Sequence, residues 1–422
     1  MPADSIGKLE AFAKRATSLV LAVLLALAVL AGGTPAAWAK DRVDSTTAAK
    51  LGIPADALPE VSMKAGVLAS EDGRVLWSRD TGERRAMASL TKVMTAIIAL
   101  ENSEPDEVVT VPASAKTVGE STSFLVPGEK LSMSDLLRAL LVKSGNDAAV
   151  TVAVHVAGSE KAFVKMMNEK AAELGLEDTR FENSHGLDER GHRSSAGDLG
   201  VLGRYAMQNP DFRRIVRRKS VVIRHEGGRQ RLENTNLMLW NYDGANGVKT
   251  GWTSDAGYSL IASAERDGIE LYAVVLGTAS EQARFADARE LLDWGFAHYR
   301  HQDLISAGTV VGRSVVTDYL DVTVPGAISQ DTSLAVFDLA GPIDRSVEMA
   351  AVDAPVAKGQ RIGVATFTQR GRVIATVPLV ATQDVEAPNI FERVGIALVR
   401  LWRRFTGGGS AASAFTPGTA VS

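Results

Sequence analysis

Hydrophobic and polar positions change their period several times along this chain, and each change marks an element. Leu19 to Ala31 is an unbroken apolar run of thirteen residues, preceded by Lys8, Lys14 and Arg15 and followed by Ala37-Trp38-Ala39. A basic start, an apolar core and a small–x–small close constitute a secretory signal, so residues 1–39 are expected to be cut off before Lys40. The run falls short of the about 20 residues of a spanning helix, and an uncleaved anchor is the lesser alternative. Either way the protein is expected to be exported.

Ala65–Ser70 and Arg74–Ser78 read as apolar strands joined through Asp72-Gly73, a hairpin signal. Val93 to Leu100 is apolar on nearly every side, the mark of a buried helix. Asn102 to Leu131 is polar and loop-rich. Helical patterns follow at Ser134–Leu141, Ala148–Val156 and Ala162–Leu174, and Phe181 to Asp198 reads as loop. Tyr258–Glu265 and Glu270–Leu276 form a second hairpin around Asp267-Gly268, and Glu281 to Tyr299 is an amphipathic helix. Two hairpins flanking a helical insert predict an α+β design for residues 40–302: an antiparallel sheet with helices on its faces.

Around Asp303 the pattern becomes one of short alternating strands, at Tyr319–Val324, Leu334–Asp338, Ser346–Ala351, Arg361–Thr368 and Val373–Val380. Residues 303–388 are therefore expected to be a separate, small all-β sandwich. Residues 389–406 follow as an amphipathic helix, with Ile390, Val394, Leu398, Leu401 and Phe405 on one face and Arg393, Arg400, Arg403 and Arg404 towards the other. Apolar and aromatic residues set against arginines fit a helix lying in a membrane interface; a helix packed on the β domain is the alternative. Residues 407–422 are low-complexity and read as a disordered tail.

The 422 residues leave room for two or three domains, and 45% hydrophobic with 23% charged residues is ordinary for a globular protein. A net charge of −4 and the lack of a nucleic-acid motif give no support to a nucleic-acid partner. With no cysteine, disulfides, thiolate catalysis and Cys-ligated metals are excluded.

Candidate chemistry centres on Ser89 and Lys92, three residues apart at the start of the buried helix. Side chains at i and i+3 share a helix face, so a hydroxyl and an amine placed this way can meet as nucleophile and base. The spacing alone is weak, since it also occurs at Ser5 and Lys8. Two further stretches stand in order behind it, Ser144-Gly145-Asn146 and Lys249-Thr250-Gly251. In isolation they read as a turn and a strand end.

Together the three motifs resemble those shared by penicillin-binding proteins and serine β-lactamases. Ser144-Gly145-Asn146-Asp147-Ala148, His185-Gly186-Leu187-Asp188, Asn234-Thr235-Asn236-Leu237 and Asp255-Ala256-Gly257-Tyr258 are similar to the low-molecular-mass serine D-alanyl-D-alanine carboxypeptidases in particular. The likeness covers roughly residues 62–299, and the trailing β domain and terminal helix match that architecture. It implies a transpeptidase fold and a covalent enzyme that trims D-alanine from peptidoglycan stem peptides, is acylated by β-lactams and needs no metal or cofactor. The amphipathic helix at Ile390–Phe405 in an exported chain leads to the expectation that the enzyme lies at the outer face of the cytoplasmic membrane. Ser89 would attack the carbonyl between two D-alanines and Lys92 would take its proton. An ordinary lysine pKa of about 10.4 makes a neutral amine cost about 4–5 kcal/mol at pH 7, which burial and the second cation Lys249 would reduce.

Ser144 would relay a proton to the leaving amine, and Asn146 would hold Lys92 and the substrate amide. Lys249 and Thr250 would hold the substrate backbone and carboxylate, with Gly251 permitting close approach. The N–H groups of Ser89 and Trp252 would form the oxyanion hole, and Arg284 would read the terminal carboxylate. Trp252 departs from the family pattern, where histidine is usual. His185 reads as a structural loop residue. With no H-E-x-x-H there is no support for zinc catalysis. A β-lactamase, with Glu182 as a superficial counterpart of a deacylating glutamate, an endopeptidase acting on cross-links, and a non-catalytic scaffold are the alternatives.

Overall fold

A computed structural model describes residues 53–405 except Gly227, together with Ala48; the signal segment and the tail lie outside the described residues. The first hairpin forms where its sequence places it. β1 (Ala65–Ser70) pairs antiparallel with β2 (Val75–Arg79), Gly66 opposite Arg79. The chain then enters a 3₁₀ turn, Ala88–Thr91, and the helix α1 (Lys92–Asn102), whose residues from Lys92 to Ala99 are all buried.

β3 (Val108–Thr110) and β4 (Lys130–Ser132) form a small ladder. α2 (Met133–Arg138) runs into a π-helical turn, Ala139–Lys143, and α3 (Asn146–Ala157) and α4 (Glu160–Glu173) follow. Next come α5 (Ala196–Gln208), α6 (Pro210–Val216) and a hairpin of β5 (Ser220–His225) with β6 (Gly228–Glu233). The short α7 (Met238–Asn241) leads to β7 (Ala245–Thr253), β8 (Gly257–Arg266), β9 (Ile269–Thr278) and α8 (Glu281–Ala297).

The strands assemble in the order β2-β1-β9-β8-β7, antiparallel throughout, leaving β7 on an edge. Both faces of the sheet are covered, which is why β1 and β9 read as nearly continuous apolar runs instead of alternating. Val67, Ile261 and Val274 face the core built on α1, α3 and α5; Leu68, Leu260 and Ala273 face α8. The α+β expectation holds. One correction falls at the end of the segment read as loop: α5 begins at Ala196, because the Ser195 hydroxyl accepts the Asp198 N–H and caps it.

The second domain carries β11 (Val310–Val315), β12 (Thr323–Ile328), β14 (Ile343–Met349), β15 (Arg361–Gln369) and β16 (Arg372–Ala381) in one sheet, ordered β11-β12-β16-β15-β14. β10 (Tyr299–Ile305) pairs with β13 (Thr332–Phe337) as a separate ladder. The first of its strands thus starts at Tyr299, ahead of the expected 303. The strand placed at 319–324 starts at Thr323, since the Tyr319 N–H closes a turn on the Val316 carbonyl.

Between the domains, Phe337 is fully buried in the core beneath α8, 5.7 Å from Trp294 and 5.4 Å from Tyr299 between ring centres. Gln369, also buried, donates to the carbonyls of Phe337 and Gly341 and accepts from Arg74 Nη1 at 3.2 Å. α9 (Ile390–Phe405) closes the described chain with no buried residue; Arg400 reaches back to the carbonyls of Thr317 and Tyr319. No described helix is long and apolar enough to cross a membrane. Removing a buried aromatic leaves a cavity and costs about 3–5 kcal/mol. Phe337→Ala is therefore expected to lower the denaturation free energy by that amount, read by urea unfolding; a loss below about 1 kcal/mol would show that the junction is not a shared core.

Candidate active site

Ser89 lies in the 3₁₀ turn Ala88–Thr91 that leads into α1, not in the first turn of the α-helix itself. Ala88 takes a left-handed φ of 49°, and the 3₁₀ turn that follows delivers Ser89 to the N-terminus of α1. Lys92 is the first residue of that helix. The i, i+3 contact is made: Lys92 Nζ lies 2.7 Å from Ser89 Oγ and donates to the His185 carbonyl, also at 2.7 Å. Lys92 is completely buried. Burial pushes its pKa well below the usual lysine value, Lys249 pushes in the same direction, and Asp147 and Glu120 oppose them.

The loop 183–188 is fastened to this turn. The Ser184 carbonyl accepts from Thr95 Oγ1 at 2.6 Å, and Asn183 Oδ1 accepts the Gly186 N–H at 2.7 Å. Gly186 has φ +96°, and a Cβ there would stand 2.0 Å from the Ala88 carbonyl oxygen. Only glycine lets the loop come this close. Thr91 Oγ1 donates to the Ala88 carbonyl and meets His192 Nε2 at 2.7 Å, while His192 Nδ1 accepts the Glu182 N–H. The His185 side chain is structural in the same sense, its Nδ1 accepting the Leu187 N–H; its main-chain carbonyl is the part that touches Lys92.

The π turn ends on Ser144 in the left-handed region, φ 68° and ψ 33°, and α3 begins two residues later. Such a turn inserts a residue into the helix and turns the side chains beyond it. Asp147 anchors the facing loop by accepting the N–H groups of Ser123 and Leu125 and the hydroxyl of Thr122. Asn146 belongs to the same fastening. Its N–H donates to the Ser121 carbonyl and its Nδ2 to the Gly119 carbonyl at 3.0 Å. Among the described residues Lys92 and Asn146 share no hydrogen bond, contrary to expectation: the amine is taken up by Ser89 and the His185 carbonyl, and the Asn146 amide by the 119–121 loop.

β7, on the sheet edge, brings up the third motif. A Cβ on Gly251 would meet Ala88 Cβ and the Met87 carbonyl, each at 3.1 Å, so the glycine lets the strand lie against the Ser89 turn. Lys249 is buried, its Nζ donating to the Thr250 carbonyl at 3.0 Å. Burial, helped by Arg284, brings its pKa down to about 7. Thr250 Oγ1 meets Thr235 Oγ1 at 2.6 Å, while the Thr235 N–H reaches the Val142 carbonyl in the π turn and Asn236 Nδ2 the Gly247 carbonyl. Asn234-Thr235-Asn236 thus ties the second motif to the third.

Arg284 is buried, not a surface residue. Nη1 donates to the Gly251 carbonyl at 3.3 Å, Nη2 pairs with Glu281 at 2.6 Å, and the guanidinium lies 5.6 Å from the Tyr258 ring centre. Trp252 is half exposed beside Tyr258. Three buried basic side chains, Lys92, Lys249 and Arg284, therefore stand together beside a serine hydroxyl, an arrangement suited to acyl transfer on a substrate bearing a carboxylate.

An antiparallel sheet with a helical subdomain, carrying a serine–lysine pair, defines the class of penicillin-binding serine enzymes. The D-alanyl-D-alanine carboxypeptidase family profile matches residues 54–280, and the C-terminal domain of penicillin-binding protein 5 matches 299–387. The D-alanyl-D-alanine carboxypeptidase DacD of Salmonella typhimurium is 36% identical over 76% of this chain and 86% of its own. DacF of Bacillus subtilis is 32% identical over 76% and 86%. The crystal structure of penicillin binding protein 6B from Escherichia coli is similar with a TM-score of 0.60 at 34% identity, covering 77% of this chain and 96% of that one. The chain belongs to the D-alanyl-D-alanine carboxypeptidase family.

His185 and His192 both lie buried beneath the Ser89 turn, and burial lowers each pKa from 6.5 to about 4. Above pH 6.5 both are neutral in either state and cost nothing. As pH falls from 6.5 to about 4 the unfolded chain takes up protons that the folded one refuses, so stability is lost across that window, at most about 3 kcal/mol for each. His192→Gln is expected to flatten the fall in melting temperature between pH 6.5 and 4; an unchanged slope would show that His192 does not contribute.

Proposed function

We propose that this chain is a serine DD-carboxypeptidase removing the terminal D-alanine from peptidoglycan stem peptides through an acyl-enzyme on Ser89. The 2.7 Å contact between Ser89 Oγ and a buried Lys92 Nζ carries the reading. With the amine neutral, the Ser89 hydroxyl donates its proton to Nζ as Oγ attacks the penultimate D-alanine carbonyl. The tetrahedral oxyanion rests on the N–H groups of Ser89 and Trp252, worth about 3 kcal/mol for each donor. Ser144 passes a proton to the leaving amine as the C–N bond breaks, and water then cleaves the ester to free Ser89. Lys249, Thr250 and Arg284 receive the substrate backbone and its terminal carboxylate, with Gly251 keeping β7 close. Asn146 acts by holding the 119–121 loop and offers its remaining amide oxygen to the substrate. A β-lactam acylates Ser89 by the same route.

The comparisons support this reading through the relatives' names, and Glu182 gives no support to a β-lactamase: its carboxylate pairs with Arg180 at 2.6 Å. Residues 40–302 form the catalytic domain, 303–388 the β domain, whose first strand β10 reaches back across that boundary to Tyr299, and 407–422 a tail, behind the cleaved signal 1–39. The protein is exported, and residues 389–406 hold it at the outer face of the cytoplasmic membrane. The wholly exposed apolar face of α9, with Phe391 86% and Phe405 81% accessible, supports that placement.

Residues 40–388 are expected to release D-alanine from a peptide ending in D-Ala-D-Ala but not from its D-Ala-L-Ala counterpart. Ser89→Ala should abolish release, and Lys92→Ala should slow penicillin acylation by about 10²–10⁴-fold. Covalent labelling at Ser89 without D-alanine release would move the assignment to cross-link cleavage. Near-normal labelling of Lys92→Ala would exclude it as the base.

The full mature chain is expected to sediment with phospholipid vesicles and the 389–422 deletion to stay in solution. Continued sedimentation of the truncated form would refute the anchor.

A further inference from the structure

Of the 46 Lys and Arg residues in a chain with net charge −4, eight fall between Arg213 and Arg231, where Glu226 is the one acid. They occupy the end of α6 and the β5–β6 hairpin. Arg213 pairs with Glu265 and Glu270, and Arg214 with Asp211. The other six, Arg217, Arg218, Lys219, Arg224, Arg229 and Arg231, are all exposed. None of the six side chains has an ion-pair or hydrogen-bond partner among the described residues.

Arg224 stands directly opposite Arg229 across the hairpin. Like charges in that position oppose each other and weaken the ladder. The nearest buried acids offer little relief, since Asp135 is taken by Arg138 and Glu129 by His225. An open cleft of about 540 Å³ separates this face from α2, with Arg138, Arg224 and Arg229 in its lining beside Asp106 and Asp135.

The patch also adjoins the candidate site. β6 runs straight into Asn234 and Thr235, and Thr235 Oγ1 touches Thr250 Oγ1. Guanidinium groups match carboxylates in shape as well as charge. A stem peptide ends in a carboxylate both before and after its last residue is removed, so a polymer carrying many stems presents a row of anions. Apart from Val222, the hairpin's exposed face lacks the large apolar side chains that a bilayer-binding surface inserts.

We propose that the α6–β5–β6 surface is a docking site for the carboxylate-bearing cell-wall polymer, holding neighbouring stems while one enters the site. This rests on the carboxypeptidase reading for the identity of the polymer. The patch makes the enzyme one that works on assembled wall, and soluble single peptides bypass it.

The test uses the mature chain carrying Ser89→Ala, so that binding is read without turnover, and insoluble peptidoglycan sacculi as the probe. Cosedimentation is expected to weaken with added salt and on sacculi whose carboxylates have been amidated. Arg224→Gln/Arg229→Gln/Arg231→Gln is expected to weaken it about tenfold. With Ser89 restored, the same triple variant should keep its melting temperature and its kcat/KM on a soluble D-Ala-D-Ala peptide while slowing on sacculi. Equal binding of the triple variant and parent to sacculi would overturn the proposal. So would a loss of binding confined to vesicles of phosphatidylglycerol, which would assign the patch to a lipid surface. Absence of D-alanine release by the parent enzyme would refute the activity and leave the sedimentation result standing on its own.

Discussion

Burying an amine is the demand that the rest of this site answers. Lys92 has no exposed surface, and a charged ammonium there would lack the water it needs. Two acceptors are therefore brought to it, the Ser89 hydroxyl on its own turn and the His185 carbonyl from a loop ninety-three residues away. The loop can reach only because Gly186 carries no Cβ against Ala88. Ala88 in turn accepts the left-handed backbone that places Ser89. A substitution at either residue would act on the nucleophile without touching it.

Like charges are gathered here at a cost. Burial does most to lower both lysines, and the neighbouring charge adds to it, Arg284 acting on Lys249 and Lys249 on Lys92. A carboxylate placed beside Arg284 and Lys249 would relieve part of that repulsion and change the field in which Lys92 titrates. The sheet supplies the stiffness this requires. β7 is an edge strand, yet it is held by β8 on one side and by Asn236 and Thr235 on the other.

Much of this was legible from side-chain pattern alone. The buried helix after Ser89 and both hairpins of the sheet follow from runs and periods, because burial on one or two faces selects the residue types directly, and the exposed helix at Ile390–Phe405 follows from its helical period alone. The meeting of Ser89 and Lys92 follows from helical spacing. What stayed hidden works through the main chain. The carbonyl of His185 leaves no trace in residue identity, and the fastening of Asn146 to Gly119 and Ser121 depends on a loop whose path only tertiary contacts determine. Ser195 capped a helix inside a stretch that looked like continuous loop. Tyr299 begins a strand directly after α8 because it pairs with Phe337 of β13, a partner distant in sequence that no local pattern shows.

The π turn at Ala139–Lys143 puts a different kind of information into the chain. Residue identity there answers to packing, since Ala139, Leu140, Leu141 and Val142 are buried aliphatic side chains of the core. Residue number is another matter. Each residue of a helix advances the side chains by about 100°, so deleting one from this stretch would swing Ser144 about a quarter-turn away while leaving every motif spelled as before. The motifs therefore depend on the length of this segment as well as on their own residues. A search for the three short motifs would still find them all in such a deletion, and their geometry would be gone.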